Sequence, residues 1–309
     1  MKVLSLFDGI SCGMAALDRA GINVERYDAF EIDKYAIKVS EKNYPQIVHH
    51  GDVFGGNFAD FKGYDLLLGG SPCTYWSIAK NGRETTPDGT GGKLFMEYVR
   101  ALRESGCKYF LYENNNSIHQ NIKDFISEQL GVQPIMINSA LVSAQKRKRC
   151  YWTNIPSVCQ PKDKGILLKD ILESGVAWQD KSYCMTAGYN GAIFWNTLQK
   201  SQRSMIAEPT RIGQYGNGGQ GQRIYSVRGK SVTLSANGGG QGAKTGLYKI
   251  DLPDGDYIIR KLTPVEAERL QTLPDNYTEG ISKTQRYKCI GNGWTVDVIA
   301  HILKGLKEA

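Results

Sequence analysis

The chain is 309 residues long, enough to bury one large core or two unequal ones. Its 41% hydrophobic and 22% charged residues are those of a globular protein, and no apolar stretch approaches membrane-spanning length. Seven scattered cysteines with no Cys-x-x-Cys pair argue against a disulfide framework or a structural zinc site; His49, His50, His119 and His301 have no ligand spacing, so no metal is expected.

Residues 2–7 read as a first buried strand, too short and too soon ended by Asp8 for a signal peptide. An amphipathic helix over 13–20, a strand over 27–32 and a helix over 34–43 follow. The alternation continues with a strand at 66–68, a helix at 94–105, a strand at 109–113, a helix at 121–130 and a strand at 134–138. It predicts an α/β fold, a mostly parallel, doubly wound sheet with right-handed crossovers. After Ile155-Pro156 the character changes. Eleven glycines lie between Arg211 and Gly246, and two Gly/Asn/Gln passages, 216–225 and 237–248, echo each other around a strand at 231–234. Flanking Val, Ile and Tyr make this a small β-rich domain. Beyond Arg260 the α/β pattern returns. Thr263-Pro264-Val265-Glu266 starts a helix towards Leu270, and 294–307 reads as a C-terminal helix after Gly291-Asn292-Gly293.

The net charge is +7, and residues 156–250 carry 12 Lys and Arg against 5 Asp and Glu, a surplus equal to that of the whole chain. A basic field concentrated in one segment suggests a polyanionic partner.

Chemistry gathers at the strand ends, where open α/β sheets bind ligands. Leu66-Leu67-Leu68 stops at Gly69-Gly70-Ser71-Pro72, and the next side chain is the Cys73 thiol, a candidate nucleophile for an electrophilic carbon. Phe7-Asp8-Gly9-Ile10-Ser11-Cys12-Gly13 joins the first strand to the first helix, as in dinucleotide sites, but lacks the Gly-x-Gly-x-x-Gly pattern. Asp8 there would repel a pyrophosphate and suits an amino-acid-like or cationic ligand. Glu31, 22 residues beyond Gly9, stands where an acid takes ribose hydroxyls, and Asp52 can accept from an adenine amino group. S-adenosylmethionine satisfies all three; a nicotinamide nucleotide is the alternative. Glu113 ends another apolar strand, placed for acid/base work. Gln145, Arg147 and Arg149 alternate before Cys150-Tyr151-Trp152 and would share one face of an extended chain.

Over nearly its whole length the chain resembles the DNA (cytosine-C5) methyltransferases. The motifs stand in family order: Asp8-Gly9-Ile10-Ser11-Cys12-Gly13, Glu31-Ile32-Asp33, Gly51-Asp52-Val53, Gly70-Ser71-Pro72-Cys73, Glu113-Asn114, Gln145-x-Arg147-x-Arg149, Arg260-Lys261-Leu262-Thr263-Pro264-x-Glu266 and Gly291-Asn292-Gly293. The resemblance implies a Rossmann-like catalytic domain over 1–155, a β-rich target-recognition domain over 156–284, and a return to the catalytic domain over 285–309. It implies catalysis by Cys73, Glu113, Arg147 and Arg149 on a cytosine flipped out of double-stranded DNA, with Cys73 attacking C6. It also implies S-adenosyl-L-methionine contacts from Phe7, Asp8, Gly9, Ser11, Cys12, Gly13, Glu31, Ile32, Asp52, Val53, Pro72, Asn292 and Gly293. DNA contacts fall to Ser77, Lys80, Arg83, Gln145, Arg223, Arg228 and Lys230, and residues 74–93 become a mobile loop with hinges at Gly89, Gly91 and Gly92.

Three departures stand out. Glu113-Asn114-Asn115 replaces Glu-Asn-Val, Gly91 replaces an arginine before the Gly-x-Leu-Phe that closes the loop, and Gly293 replaces the serine of Gly-Asn-Ser. Asp88-Gly89-Thr90-Gly91 and Trp294 are similar to the branch holding the vertebrate de novo enzymes. None removes a catalytic residue, so an active enzyme is expected: a cytoplasmic, nucleoid-associated monomer of bacterial or phage origin, with no membrane partner and with room for a cognate restriction endonuclease. Two other readings stand beside it. One is tRNA methylation, whose family branch carries Cys-Phe-Thr where this chain has Cys184-Met185-Thr186; the other is a non-catalytic nucleic-acid-binding regulator.

Overall fold

Short runs rich in Leu, with Val3, form the buried middle of a seven-stranded sheet. The computed structural model describes residues 1–77, 82–209 and 257–307. β1 (Lys2–Leu6), α1 (Cys12–Ala20), β2 (Arg26–Phe30), α2 (Lys34–Asn43) and the short β3 (Val48–His49) come first. Two 3-10 turns lead to β4 (Leu66–Gly69), and α3 (Thr90–Ser105), β5 (Tyr109–Asn115), α4 (Gln120–Leu130), β6 (Ile135–Asn138) and β7 (Lys148–Thr153) follow. The strand order is β3-β2-β1-β4-β5-β7-β6. Pairs from β3 to β5 are parallel, whereas β7 runs antiparallel to both neighbours. The mostly parallel, doubly wound sheet expected from the strand–helix alternation is present.

Beyond β7 lie α5 (Phe194–Lys200), then β8 (Met205–Pro209) and β9 (Tyr257–Lys261), which pair antiparallel. α6 (Pro264–Leu270), α7 (Lys283–Asn292) and α8 (Val296–Leu303) complete the described chain. The echoing glycine-rich passages and the strand expected at 231–234 lie outside the described residues.

Helices cover both faces of the sheet. Ala16 and Leu17 of α1 and Ile299 and Leu303 of α8 share one core with Val3, Leu66 and Leu68. On the other face Phe95, Tyr98 and Val99 of α3 and Ile122 and Ile126 of α4 pack with Leu4, Leu67, Tyr112 and Trp152. A third core joins Leu168, Met185, Tyr189 and Ile206 to Leu262, Ala267 and Leu270, and to Tyr287 and Ile290 of α7. The segment after residue 155 is thereby sewn to the returning helices. Thr263 starts α6 as expected: its Oγ1 accepts from Glu266 N at 3.1 Å, and Glu266 Oε2 accepts from Thr263 N at 2.7 Å. Arg260 then grips the buried Glu266 carboxylate through both oxygens at 2.8 Å.

Three expectations shift. β2 ends at Phe30 rather than at residue 32, because Glu31 folds back to accept three backbone N–H groups. The C-terminal helix begins at Val296, and α7, not anticipated, precedes it. Of the ten residues of α7, Tyr287, Cys289, Ile290 and Gly291 are buried; Lys283, Arg286 and Lys288 interrupt its apolar stripe. The loop expected over 74–93 is shorter, because α3 starts at Thr90. Glu84 accepts from Thr90 N and Gly91 N at 3.0 Å each and from the buried Trp76 indole at 3.2 Å. Gly91 and Gly92 are thus first-turn helix residues, not hinges. A Cβ on Gly92 would lie 1.6 Å from Pro87 O. Gly92→Ala should cost on the order of 1–3 kcal/mol through overpacking. A urea midpoint equal to that of the wild type would contradict this packing.

Candidate active site

The first strand-end turn is held in an unusual backbone conformation. Phe7, Gly9 and Ser11 all have positive φ, near 60°, a region that costs a non-glycine residue energy. Asp8 offsets that strain. Its carboxylate accepts from Ser5 Oγ at 2.6 Å, Ser11 Oγ at 2.5 Å and Tyr27 OH at 2.7 Å. Ser11 in turn shares a hydrogen bond with Ser40. The side chains of Ser11, Cys12 and Val53 point into the protein, so among the expected cofactor residues these three can offer a ligand only backbone. Burial pushes the Cys12 thiol up to about 12.

At the end of β2, Glu31 accepts from Gly9 N, Ile32 N and Asp33 N, each at 2.8 Å. Burial raises its carboxyl above the usual range, against the pull of these three donors. The acid is therefore fixed to the turn of β1, with its orientation set. Ile32 beside it is 74% exposed, and Phe54, after Asp52, is 55% exposed. Asp52 itself accepts from Phe54 N at 3.1 Å. Exposed apolar side chains next to a fixed carboxylate suit a ligand with a flat apolar ring and a sugar hydroxyl. Pro72 and Asn292 are exposed, and Gly293 is buried against Cys12.

The end of β4 carries Gly70-Ser71-Pro72-Cys73, and β5 beside it carries Glu113. The two are tied together. Ser71 Oγ and Tyr112 OH share a hydrogen bond of 2.6 Å, and Asn114 Nδ2 donates to Ser71 O at 3.3 Å. In the antiparallel β5–β7 pair Glu113 stands opposite Tyr151 and Asn115 opposite Arg149, which puts Glu113 and Arg149 diagonally across one face. Arg149 Nε meets Glu113 Oε1 at 2.9 Å with both side chains 11% exposed. Trp294 Nε1 donates to the other oxygen, Oε2, at 3.0 Å.

Cys73 is half-buried within this field. Burial raises its thiol above the ordinary value and Glu113 adds to the rise, while Arg149 and Arg147 oppose it. Cys184 behaves in the opposite way. Burial acts to raise it, but Arg147 and Arg149 pull it below the ordinary thiol value. Arg147 Nη1 lies 3.5 Å from Cys184 Sγ, and Arg149 Nη2 lies 3.9 Å from it.

The two arginines therefore share a face, as expected, but do different work. Arg147 is buried and donates to Met185 O at 2.8 Å, Gly293 O at 2.9 Å and Gly291 O at 3.3 Å. It joins three chain segments, whereas Arg149 faces the acid. Gln145, expected at DNA, lies in the interior here. It is fully buried, donating to Leu270 O at 2.6 Å and Gln271 Oε1 at 2.8 Å and accepting from Met185 N at 3.1 Å. Arg83 donates to Ser117 O at 2.7 Å, and Ser77 N to Cys73 O at 2.8 Å. Lys80, Arg223, Arg228 and Lys230 lie outside the described residues. Sequence reasoning assigned no role to Cys184 or to the Trp294 contact; a tryptophan directly after Gly-Asn-Gly was the available signal for the second. Among the described residues no cluster of three or more His, Cys, Asp or Glu could hold a metal ion, and no helix is long and apolar enough to cross a membrane.

A strand-end thiol, a carboxylate clamped by an arginine, and a fixed acid beside exposed apolar side chains on a doubly wound sheet define a Rossmann-like group-transfer enzyme. The family described as C-5 cytosine-specific DNA methylase matches residues 1–308, and the chain belongs to it. It is 31% identical to the type II methyltransferase M.HhaI of Haemophilus parahaemolyticus, over 98% of this chain and 93% of that protein. It is 25% identical to the orphan methyltransferase M.SPRI of Bacillus phage SPR, over 99% and 97%. Its fold is also that of the Entamoeba histolytica methyltransferase EhMeth (TM-score 0.70, 15% identity, 100% and 98% covered) and of a Spodoptera frugiperda DNMT2 mutant (TM-score 0.68, 20% identity, 99% of each chain covered).

Because the thiolate is the reactive form, a raised pKa delays alkylation to higher pH and a lowered one advances it. Iodoacetamide labelling read by mass spectrometry across a pH series should modify Cys184 at lower pH than Cys73. The reverse order would contradict this charge arrangement.

Proposed function

We propose that the chain transfers a methyl group from S-adenosylmethionine to C5 of a cytosine flipped out of double-stranded DNA, through a covalent bond between Cys73 and C6. The observation that carries this reading is the Glu113 carboxylate, held at 2.9 Å by Arg149 within the same field as the Cys73 thiol. Exposed Ile32 and fixed Glu31 fit the adenine and ribose of the cofactor. When bound, S-adenosylmethionine supplies an electrophilic methyl group on a positively charged sulfur.

C5 of cytosine is a weak nucleophile inside an aromatic ring. Cys73 loses its proton and its sulfur bonds C6; the C5–C6 π pair moves onto C5, conjugated through C4 to N3. Glu113 supplies a proton or hydrogen bond to N3, and Arg149 stabilises the charge developing on the ring. C5, now enamine-like, takes the methyl group, and the pair of the broken S–CH3 bond stays on the donor sulfur, which leaves as a neutral thioether. Loss of the C5 proton to a base restores the double bond and expels the Cys73 thiolate. The raised Cys73 pKa keeps the resting thiol neutral, so proton removal belongs to the loaded complex.

Duplex DNA as substrate is supported by the basic surplus of residues 156–250 and by relatives named as DNA methyltransferases. In this reading residues 156–284 recognise the target with Arg223, Arg228 and Lys230, while Ser77, Lys80 and Arg83 contact phosphates. A second reading, methylation of tRNA cytosine, draws on Cys184 of Cys184-Met185-Thr186 lying against both arginines. Labelled S-adenosylmethionine with duplex DNA should yield 5-methylcytosine, and Cys73→Ser should abolish it. Duplex carrying 5-fluorocytosine should trap a covalent adduct. Label on tRNA and none on any cytosine-containing duplex would turn the reading to RNA; no label on either would leave a binding regulator.

A further inference from the structure

We propose that Trp294 is a positioning residue for the reaction, aiming the Glu113 carboxylate through its indole N–H; this rests on the role given to Glu113 above. Glu113 has a donor on each oxygen, and the two donors come from different parts of the chain. Arg149 Nε, on β7, meets Oε1 at 2.9 Å, and Trp294 Nε1, between α7 and α8, donates to Oε2 at 3.0 Å. A carboxylate held at one oxygen still turns about its last torsion, which is broad and roughly two-fold. A second donor on the opposite oxygen fixes the plane. The guanidinium engages Oε1 and the indole one lone-pair direction of Oε2, so the other lone-pair direction of Oε2 is left for the base.

The surroundings of the indole show why it can do this. A Cβ at Gly70 would lie 3.0 Å from Glu113 O, 3.1 Å from Oε2 and 3.4 Å from Trp294 Nε1. The Gly70 backbone therefore runs close beside the Trp294–Glu113 bond and leaves no room there for a side chain. The far edge of the ring reaches α1, where a Cβ at Gly13 would lie 3.7 Å from Cζ3. One rigid ring thus bonds the acid and lies beside the backbone of Gly13 and Gly70. The residue before it, Gly293, has no hydroxyl to offer, and a Cβ there would come within 3.2 Å of Cys12 Sγ. The donor arrives from the next position instead.

Trp294→Phe keeps most of the ring and removes the N–H. With the full chain, duplex DNA and saturating labelled S-adenosylmethionine, the single-turnover rate should fall about tenfold or more, the scale of a lost hydrogen bond to a charged group. Dissociation constants for cofactor and DNA should stay within about twofold of wild type, separating the chemical step from binding. Trp294→His, which keeps a ring N–H, should retain more of the rate than Trp294→Phe. In a Glu113→Gln background Trp294→Phe should add no further loss, since both changes act through one carboxylate. A Trp294→Phe rate within about twofold of wild type would overturn the proposal. So would an equal loss in both backgrounds, a reversed order of Phe and His, or a loss explained by weaker cofactor binding. Wild-type protein that labels no cytosine would refute the function itself, not the role of Trp294.

Discussion

The Glu113–Arg149 pair is the interaction on which the site depends. Both side chains are largely removed from solvent, and the pair crosses the antiparallel boundary between β5 and β7. Burying two charges costs several kcal/mol per ion, so such a pair contributes little net stability against a well-packed apolar substitute. Its consequence is geometric. A single guanidinium fixes the acid, opposes the rise of the Cys73 thiol and touches Cys184. The sheet changes strand direction beside the acid: a β7 parallel to β5 would run Arg149 away from the strand end that carries Glu113.

Arg147 and Gln145 perform a second task that their motif conceals. Both are interior joints. Gln145 bridges Met185, Leu270 and Gln271; Arg147 bridges Met185, Gly291 and Gly293. Fully satisfied buried polar networks specify one arrangement of the segments they join. Here the segments are the chain around Met185 and the returning helices that lead to Trp294. The catalytic wall is therefore built from chain separated by more than a hundred residues, and its alignment rests on two side chains with no accessible surface to speak of.

The cofactor side follows the same economy. Strained backbone at Phe7 and Ser11 is held by an Asp8 carboxylate saturated with hydroxyl donors, and Glu31 locks that turn to the end of β2. Asp8 supports the turn through these hydroxyls, while Ile32, beside the fixed Glu31, is the exposed group.

Much of this was legible in the residues. Strand–helix alternation determined the sheet, because buried parallel strands must be apolar throughout and their crossover helices amphipathic. The Thr263-Pro264-x-Glu266 start of α6 was equally plain, since its capping interactions are local. The ordered motifs marked Cys73, Glu113, Arg149 and Glu31. Local pattern could not decide which way long polar side chains point: Gln145 and Arg147 look like surface residues in one dimension and are buried in three. Nor could it find α7, whose cations break the apolar stripe, or shorten the loop before α3, whose first turn depends on Glu84 reaching forward to Thr90 and Gly91. Trp294 was visible as a residue but not as a donor to Glu113, 181 positions away. Residue types and their spacing settle what chemistry a chain carries; the partners of a buried polar group depend on which distant segments packing brings together.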